Sequence, residues 1–212
     1  MLKKEKVGGF FERLELPLYF FDFETYASAI PIVDGISLQQ QFPVQYSLHI
    51  LNADGSLEQK EFLDRDARLP DRLVAQMETD FGETGSLISW HASFEISKIE
   101  VMKGLFPEKA EFLDHLIERA VDLEDVFKKD YVDARFDGST SIKNVMQVLC
   151  CELSYSGLEV QDGTGAMEAW HRMLVSFGQE ADKAAAELLE YCKLDSFAMV
   201  EIYRFLSRLP DL

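Results

Sequence analysis

The 212-residue sequence predicts an α/β domain, a mixed sheet with helices on both faces. Three observations carry this prediction. Three apolar, β-prone stretches follow one another near the N-terminal side, two of them joined by a strong turn signal. Apolar spacing then switches between helical and strand-like periods through the middle of the chain. The last third is helical only. The order describes an antiparallel three-strand meander that begins the sheet, then helix–strand alternation, then a covering helical layer.

Residues 1–15 mix charged and apolar side chains and read as a lead-in segment, leaving residues 16–212 as one domain. Leu16–Thr25 is the first strand, with Pro17 where a strand can begin. Asp22 and Glu24 are two apart and share one face, while Phe21 and Phe23 take the other, toward a core. A loop from Tyr26 to Ile32 leads past Gly35 to a second strand, Phe42–Leu51. Asn52-Ala53-Asp54-Gly55-Ser56 is a turn, and Leu57–Leu63 returns to complete a hairpin. Leu73, Val74 and Met77 set a helix over Asp71–Phe81 that closes near Gly82 and Gly85. Leu87–Trp90 is a short buried strand, and His91–Glu95 opens a helix to about Lys103, with Ser93 as its N-cap. Pro107 opens another helix to about Arg119, and Ala120–Leu123 is the last strand, with Asp122 as the N-cap of the next helix. Ser139–Ser141 introduces the helix Ile142–Cys150, and Asp162-Gly163 reads as a turn. Helices over Gly165–Ser176 and Gln179–Ser207 close the chain, divided at Phe177-Gly178.

Apolar content of 47% and 16 phenylalanines fit a packed core. No apolar run reaches the roughly 20 residues that span a bilayer, and no secretory pattern follows the basic start Met1–Lys6. Cys150, Cys151 and Cys192 lack zinc-site spacing and cannot all pair with one another, which predicts a reduced, cytoplasmic setting with Cys150-Cys151 in the core. His49, His115 and His171 have no ligand-like spacing and read as structural. With 38 acidic against 21 basic residues, the net charge of -17 is opposite in sign to a nucleic-acid footprint. It disfavours extended duplex binding by this chain alone. It is compatible with a site that grips a strand end through metal ions, because bound cations reverse the local field.

The D-x-E pair is where chemistry concentrates. Two carboxylates at the end of a buried strand repel each other, and a divalent cation between them relieves that repulsion. Hard cations take about six oxygen ligands, so further carboxylates are needed. Glu95 stands at the start of a helix just beyond a short strand, at the mouth of the sheet. Asp195 lies on the last helix with Tyr191 four residues earlier on the same face. That helix carries an apolar stripe of Leu188, Cys192, Met199, Tyr203 and Leu206, beside which an unpartnered Asp195 is costly.

D-x-E on the first strand, an aromatic-plus-acid motif at a strand–helix junction and Y-x-x-x-D on the last helix resemble the DEDD superfamily. These are the DnaQ-like 3′–5′ exonucleases, here in the subgroup with a motif-three tyrosine. The resemblance covers residues 16–207 and is nearest to a poorly characterised bacterial branch, in which this domain often forms the end of a longer protein. It implies an RNase H-like three-layer fold and a two-metal phosphodiesterase using Mg2+ or Mn2+. In that scheme Asp22 bridges both ions, Glu24 and Asp195 ligate the first, and Glu95 holds the second through water. Tyr191 orients the attacking water, and Thr25, His91, Ser141 and Lys143 bind substrate. Lys143 and the helix N-terminus at Ser139–Ser141 meet a backbone phosphate. The implied substrate is a single-stranded DNA or RNA end or a short oligonucleotide. The second motif departs from the family, with His91 and Glu95 where Asn and Asp are usual, which predicts reduced metal stringency. The departure and the acidic surface also suit a reading from another class: a catalytically weakened module that serves as an interaction or nucleic-acid-positioning domain of a longer protein.

Overall fold

The computed structural model describes residues 2–209; Met1 of the lead-in and residues 210–212 of the predicted domain lie outside them. The strands are β1 (Leu18–Tyr26), β2 (Phe42–Leu51), β3 (Leu57–Leu63), β4 (Ser86–Ser89) and β5 (Ala120–Asp122). The helices are α1 (Lys4–Phe11), α2 (Asp71–Asp80), α3 (Ala92–Leu105), α4 (Ala110–Glu118), α5 (Glu124–Lys129), α6 (Ile142–Leu149), α7 (Gly163–Val175) and α8 (Gln179–Ser207). They form one sheet in the order β3-β2-β1-β4-β5. β2 pairs antiparallel with both β1 and β3, whereas β4 and β5 extend the sheet in parallel. This is the predicted mixed sheet with an antiparallel meander and helices on both faces.

β1 is apolar on both sides because it lies at the centre and is covered twice. Phe20 enters a core with Trp170, Leu188 and Met199 under α7 and α8. Phe21 and Phe23 enter the opposite core with Tyr46, Leu73, Ile99 and Leu113 under α2, α3 and α4. Alternation along β1 therefore turns Asp22 and Glu24 toward α8. Gly85 sets β4 against β1. Its φ of 96° favours glycine, and a Cβ there would collide with the Pro17 carbonyl.

Several local expectations are corrected. The lead-in is ordered by its neighbours, as the sequence allows, and adds a helix the sequence does not signal: α1 buries Val7 and Phe10 in the α8-side core, and the Lys3 N–H donates to the Asp130 carbonyl at 2.8 Å. Ser93 does not cap α3, because the helix begins one residue earlier, with His91 at the cap position and no side-chain cap. Asp162-Gly163 is a helix start instead of a free turn, since the Asp162 carboxylate accepts the Gly165 N–H at 2.8 Å. The helix after β5 is the short α5, with Leu123 at its cap position, while Asp122 accepts the Glu124 N–H from one residue earlier. Cys151 is exposed, whereas Cys150 is half-buried and packs against the α8-side core, so only one of that pair contributes to it. Among the described residues, no helix is long and apolar enough to cross a membrane.

Candidate metal centre

The sheet topology opens a cleft at the C-terminal end of β1. β4 pairs with β1 only over Leu18–Phe20, so the β4-side edge of β1 is unpaired beyond Phe20. The cavity there, about 650 Å3, is lined by Asp22, Glu24, Glu95 and Asp195, together with Thr25, Tyr191, Trp90 and Phe94. This is the crevice at the strand ends where open α/β sheets bind ligands.

Each carboxylate arrives from a different constraint. Asp22 and Glu24 are presented by the pleat of β1, whose register with β2 shifts immediately after Glu24. Glu95 comes from the first turn of α3, placed by an unusual corner. His91 has φ 64°, a left-handed conformation that histidine enters more readily than most residues. Asp122, at the end of β5, holds this corner by accepting the His91 N–H at 3.1 Å and the Glu124 N–H at 3.0 Å. Asp195 comes from α8, one helical turn after Tyr191 and on the same face.

The charges map the geometry. Burial and the neighbouring Asp195 raise the Asp22 carboxyl well above its ordinary range. Burial, then Asp22 and Asp195, do the same to Glu24. Burial, then Asp22 and Glu24, raise Glu95, against the pull of the Phe23 amide and Lys98. Burial pushes Asp195 up to about 6. The Asp22–Glu24 pair thus interacts with Glu95 of α3 and with Asp195 of α8. Glu95 is 3% exposed, and among the described residues its Oε2 has no hydrogen-bond partner. Mutually repelling carboxylates, three of them buried and Asp22 half-buried, with an orphaned oxygen are costly unless a cation joins them, and an all-oxygen set of this kind fits a hard divalent ion.

Of the predicted substrate-binding residues, the structure brings some to the cavity and not others. Thr25 and His91 line it. The His91 ring is turned aside, however, its Nδ1 3.0 Å from Glu124, which Lys128 also binds at 2.6 Å. Ser141 does not line it, because its hydroxyl is occupied in capping α6, accepting the Asn144 N–H and donating to the Asn144 side-chain oxygen. Lys143 does not line it either; its ammonium lies 5.1 Å from the Tyr155 ring centre and 5.4 Å from that of Tyr191, bonded to the Gln161 carbonyl. Its charge lowers both Glu24 and Asp195.

Two residues escaped the sequence reading. Tyr155, buried in the irregular segment between α6 and α7, donates its hydroxyl to Asp195 Oδ1. No periodicity marks it. Cys192, read as part of the α8 apolar stripe, lies with Sγ 3.6 Å from the Asp22 carbonyl oxygen and 3.8 Å from Asp22 Oδ2. Its spacing of three from Asp195 was the available signal. Burial and surrounding carboxylates hold the phenols of Tyr155 and Tyr191 far above the ordinary tyrosine range, so both remain protonated donors.

Comparison with known proteins places the chain in a family. The model of the family described as "Domain of unknown function (DUF2779)" matches residues 19–141, more than half of the chain. The chain belongs to that family. The DUF2779 match includes Asp22, Glu24 and Glu95 and ends before α6, so Tyr191 and Asp195 lie beyond it. The chain is 26% identical over 230 residues to "Uncharacterized protein MG366" of Mycoplasma genitalium, covering 96% of this chain and 34% of that protein. It is 27% identical over 227 residues to "Uncharacterized protein MG366 homolog" of Mycoplasma pneumoniae, covering 95% of this chain and 34% of the relative. The chain thus spans about a third of the length of the curated relatives it matches. No solved structure matches it.

Proposed function

We propose that this domain is a metal-dependent phosphodiesterase of the DEDD type, trimming single-stranded DNA or RNA ends or short oligonucleotides in the 3′–5′ direction. The observation that carries the reading is the convergence of Asp22, Glu24, Glu95 and Asp195, from β1, α3 and α8, on one cavity that Tyr191 also lines. Asp22, Glu24 and Asp195 would hold one divalent ion, and Asp22 with Glu95 the second. Such a pair, Mg2+ or Mn2+, supplies the positive charge that stabilises the attacking and leaving oxygens of an in-line displacement.

The remaining steps belong to the chain itself. Tyr191 stays protonated, so it orients a water by hydrogen bonding and does not remove its proton. Tyr155 fixes Asp195 in the rotamer that faces β1. Lys143, beside the Tyr191 ring, would meet a phosphate of the substrate. Trp90, Phe94 and Met167 give the cavity apolar walls on which a base can stack. The net charge of -17 favours short ends over extended duplex, and the additional length of the relatives is room for a part that delivers substrate.

The test is incubation with 3′- and 5′-labelled DNA and RNA oligonucleotides in Mg2+ or Mn2+, beside Asp22→Asn. Metal-dependent shortening from the 3′ end that falls to background in the variant is expected. Absence of cleavage with either ion, on either nucleic acid, would leave the non-catalytic module as the better account.

A further inference from the structure

We infer that Cys192 is a direct ligand in this metal centre, which makes its β1–α8 half a mixed carboxylate–thiolate site that prefers a transition-metal ion such as Zn2+ or Co2+ to Mg2+. The inference rests on the metal-binding part of the proposed function and departs from the all-oxygen ligand set that the sequence resemblance implies. Among the described residues, the group of side chains whose ligand atoms lie closest together is not the four carboxylates. It is Asp22, Glu24 and Cys192, with one ligand atom of each within 4.8 Å of the others. Cys192 and Asp195 are three apart on α8, so they share the face that covers β1. An ion between Asp22 and Asp195 therefore meets the sulfur as well as the oxygens. A second, independent feature points to cation binding at the Asp22–Glu24 pair: the buried Oε2 of Glu95, unpartnered among the described residues, lines the cavity with both carboxylates.

The alternative role for Cys192 is packing, and its surroundings argue against that. A thiol that only fills core space sits among hydrocarbon. Cys192 is fully buried, yet its sulfur lies against the backbone and carboxylate oxygens of Asp22. On binding, the sulfur would ligate as thiolate and its proton would pass to solvent. Soft thiolate ligands favour Zn2+ and neighbouring transition metals, whereas Mg2+ seeks oxygen alone.

The probe is the metal by itself. A Cys150→Ser, Cys151→Ser protein keeps Cys192 as its single thiol and is titrated with Co2+. A near-ultraviolet thiolate-to-cobalt charge-transfer band is expected, and it should vanish in Cys192→Ser and Cys192→Ala, with folding checked by circular dichroism. Competition titrations should show Cys192→Ser weakening Zn2+ by at least the roughly 10- to 100-fold that even outer-shell partners are worth, with Mg2+ changed less than about threefold. Co2+ binding without the band, or equal losses for Zn2+ and Mg2+, would overturn this inference and leave the carboxylate site standing. Failure of every ion to bind would overturn both.

Discussion

Replacing Asp195 with Asn should stabilise the metal-free protein, although it removes a residue central to the site. Burial lifts the Asp195 carboxyl from its ordinary 3.8 to about 6, and each pH unit is worth about 1.4 kcal/mol, so ionising it destabilises the metal-free fold by about 3 kcal/mol. The sign comes from proton binding. Between about pH 4 and about pH 6 the native state keeps a proton at Asp195 that the unfolded chain has released, so stability falls as pH rises through that window and stays lower above it. Asn has no charge to hold, and its side-chain oxygen can still accept the Tyr155 hydroxyl. At about pH 8 in chelator, Asp195→Asn should melt roughly 6–12 °C above the parent, given about 2–4 °C per kcal/mol for a chain of this size. The gap should close below about pH 4, where both states carry the proton. Saturating Mn2+ should raise the parent more than the variant, which keeps only the Asp22–Glu95 position intact. Thermal unfolding followed by circular dichroism across a pH series reads all of this. A variant less stable than the parent at alkaline pH without metal, or a gap that does not change with pH, would refute the reasoning.

Tyr155→Phe removes the donor to a buried carboxylate oxygen and should cost about 1–3 kcal/mol in chelator, with part of the loss recovered on adding Mn2+, as read by denaturant titration. Lys143→Met should raise KM for a labelled oligonucleotide more than it lowers kcat, because the ammonium stands beside the Tyr155 and Tyr191 rings and not among the carboxylates that line the cavity. Gly85→Ala combines a left-handed φ with a collision against Pro17 and should destabilise by at least about 1–3 kcal/mol while leaving metal affinity per folded molecule unchanged.

Much of the scaffold was legible because it rests on local patterns. The bounds of β2 and β3 come from two β-prone runs and the Asn52–Ser56 turn between them. Asp22 and Glu24 share a face because strand geometry allows nothing else. Tyr191 and Asp195 share one for the helical reason. The illegible parts depend on tertiary contact. α1 contains Gly8 and Gly9, weak helix formers, and is held by packing of Val7 and Phe10. α5 has six residues, too few for a periodic signal. The left-handed corner at His91 exists because Asp122, 31 positions away, accepts its N–H. Tyr155 reaches Asp195 across 40 positions from a segment without regular structure. Cys192 reads as core because its helical spacing matches the apolar stripe, and only the approach of β1 sets its sulfur beside Asp22.

The account stands on a cation held between β1, α3 and α8. An anomalous difference map from a crystal grown with Mn2+ tests it most directly. A peak within ligand distance of Asp22 and Glu24 and bordered by Asp195, with Glu95 Oε2 turned toward a second ion, is the expected result. A map with no peak at these carboxylates would contradict it.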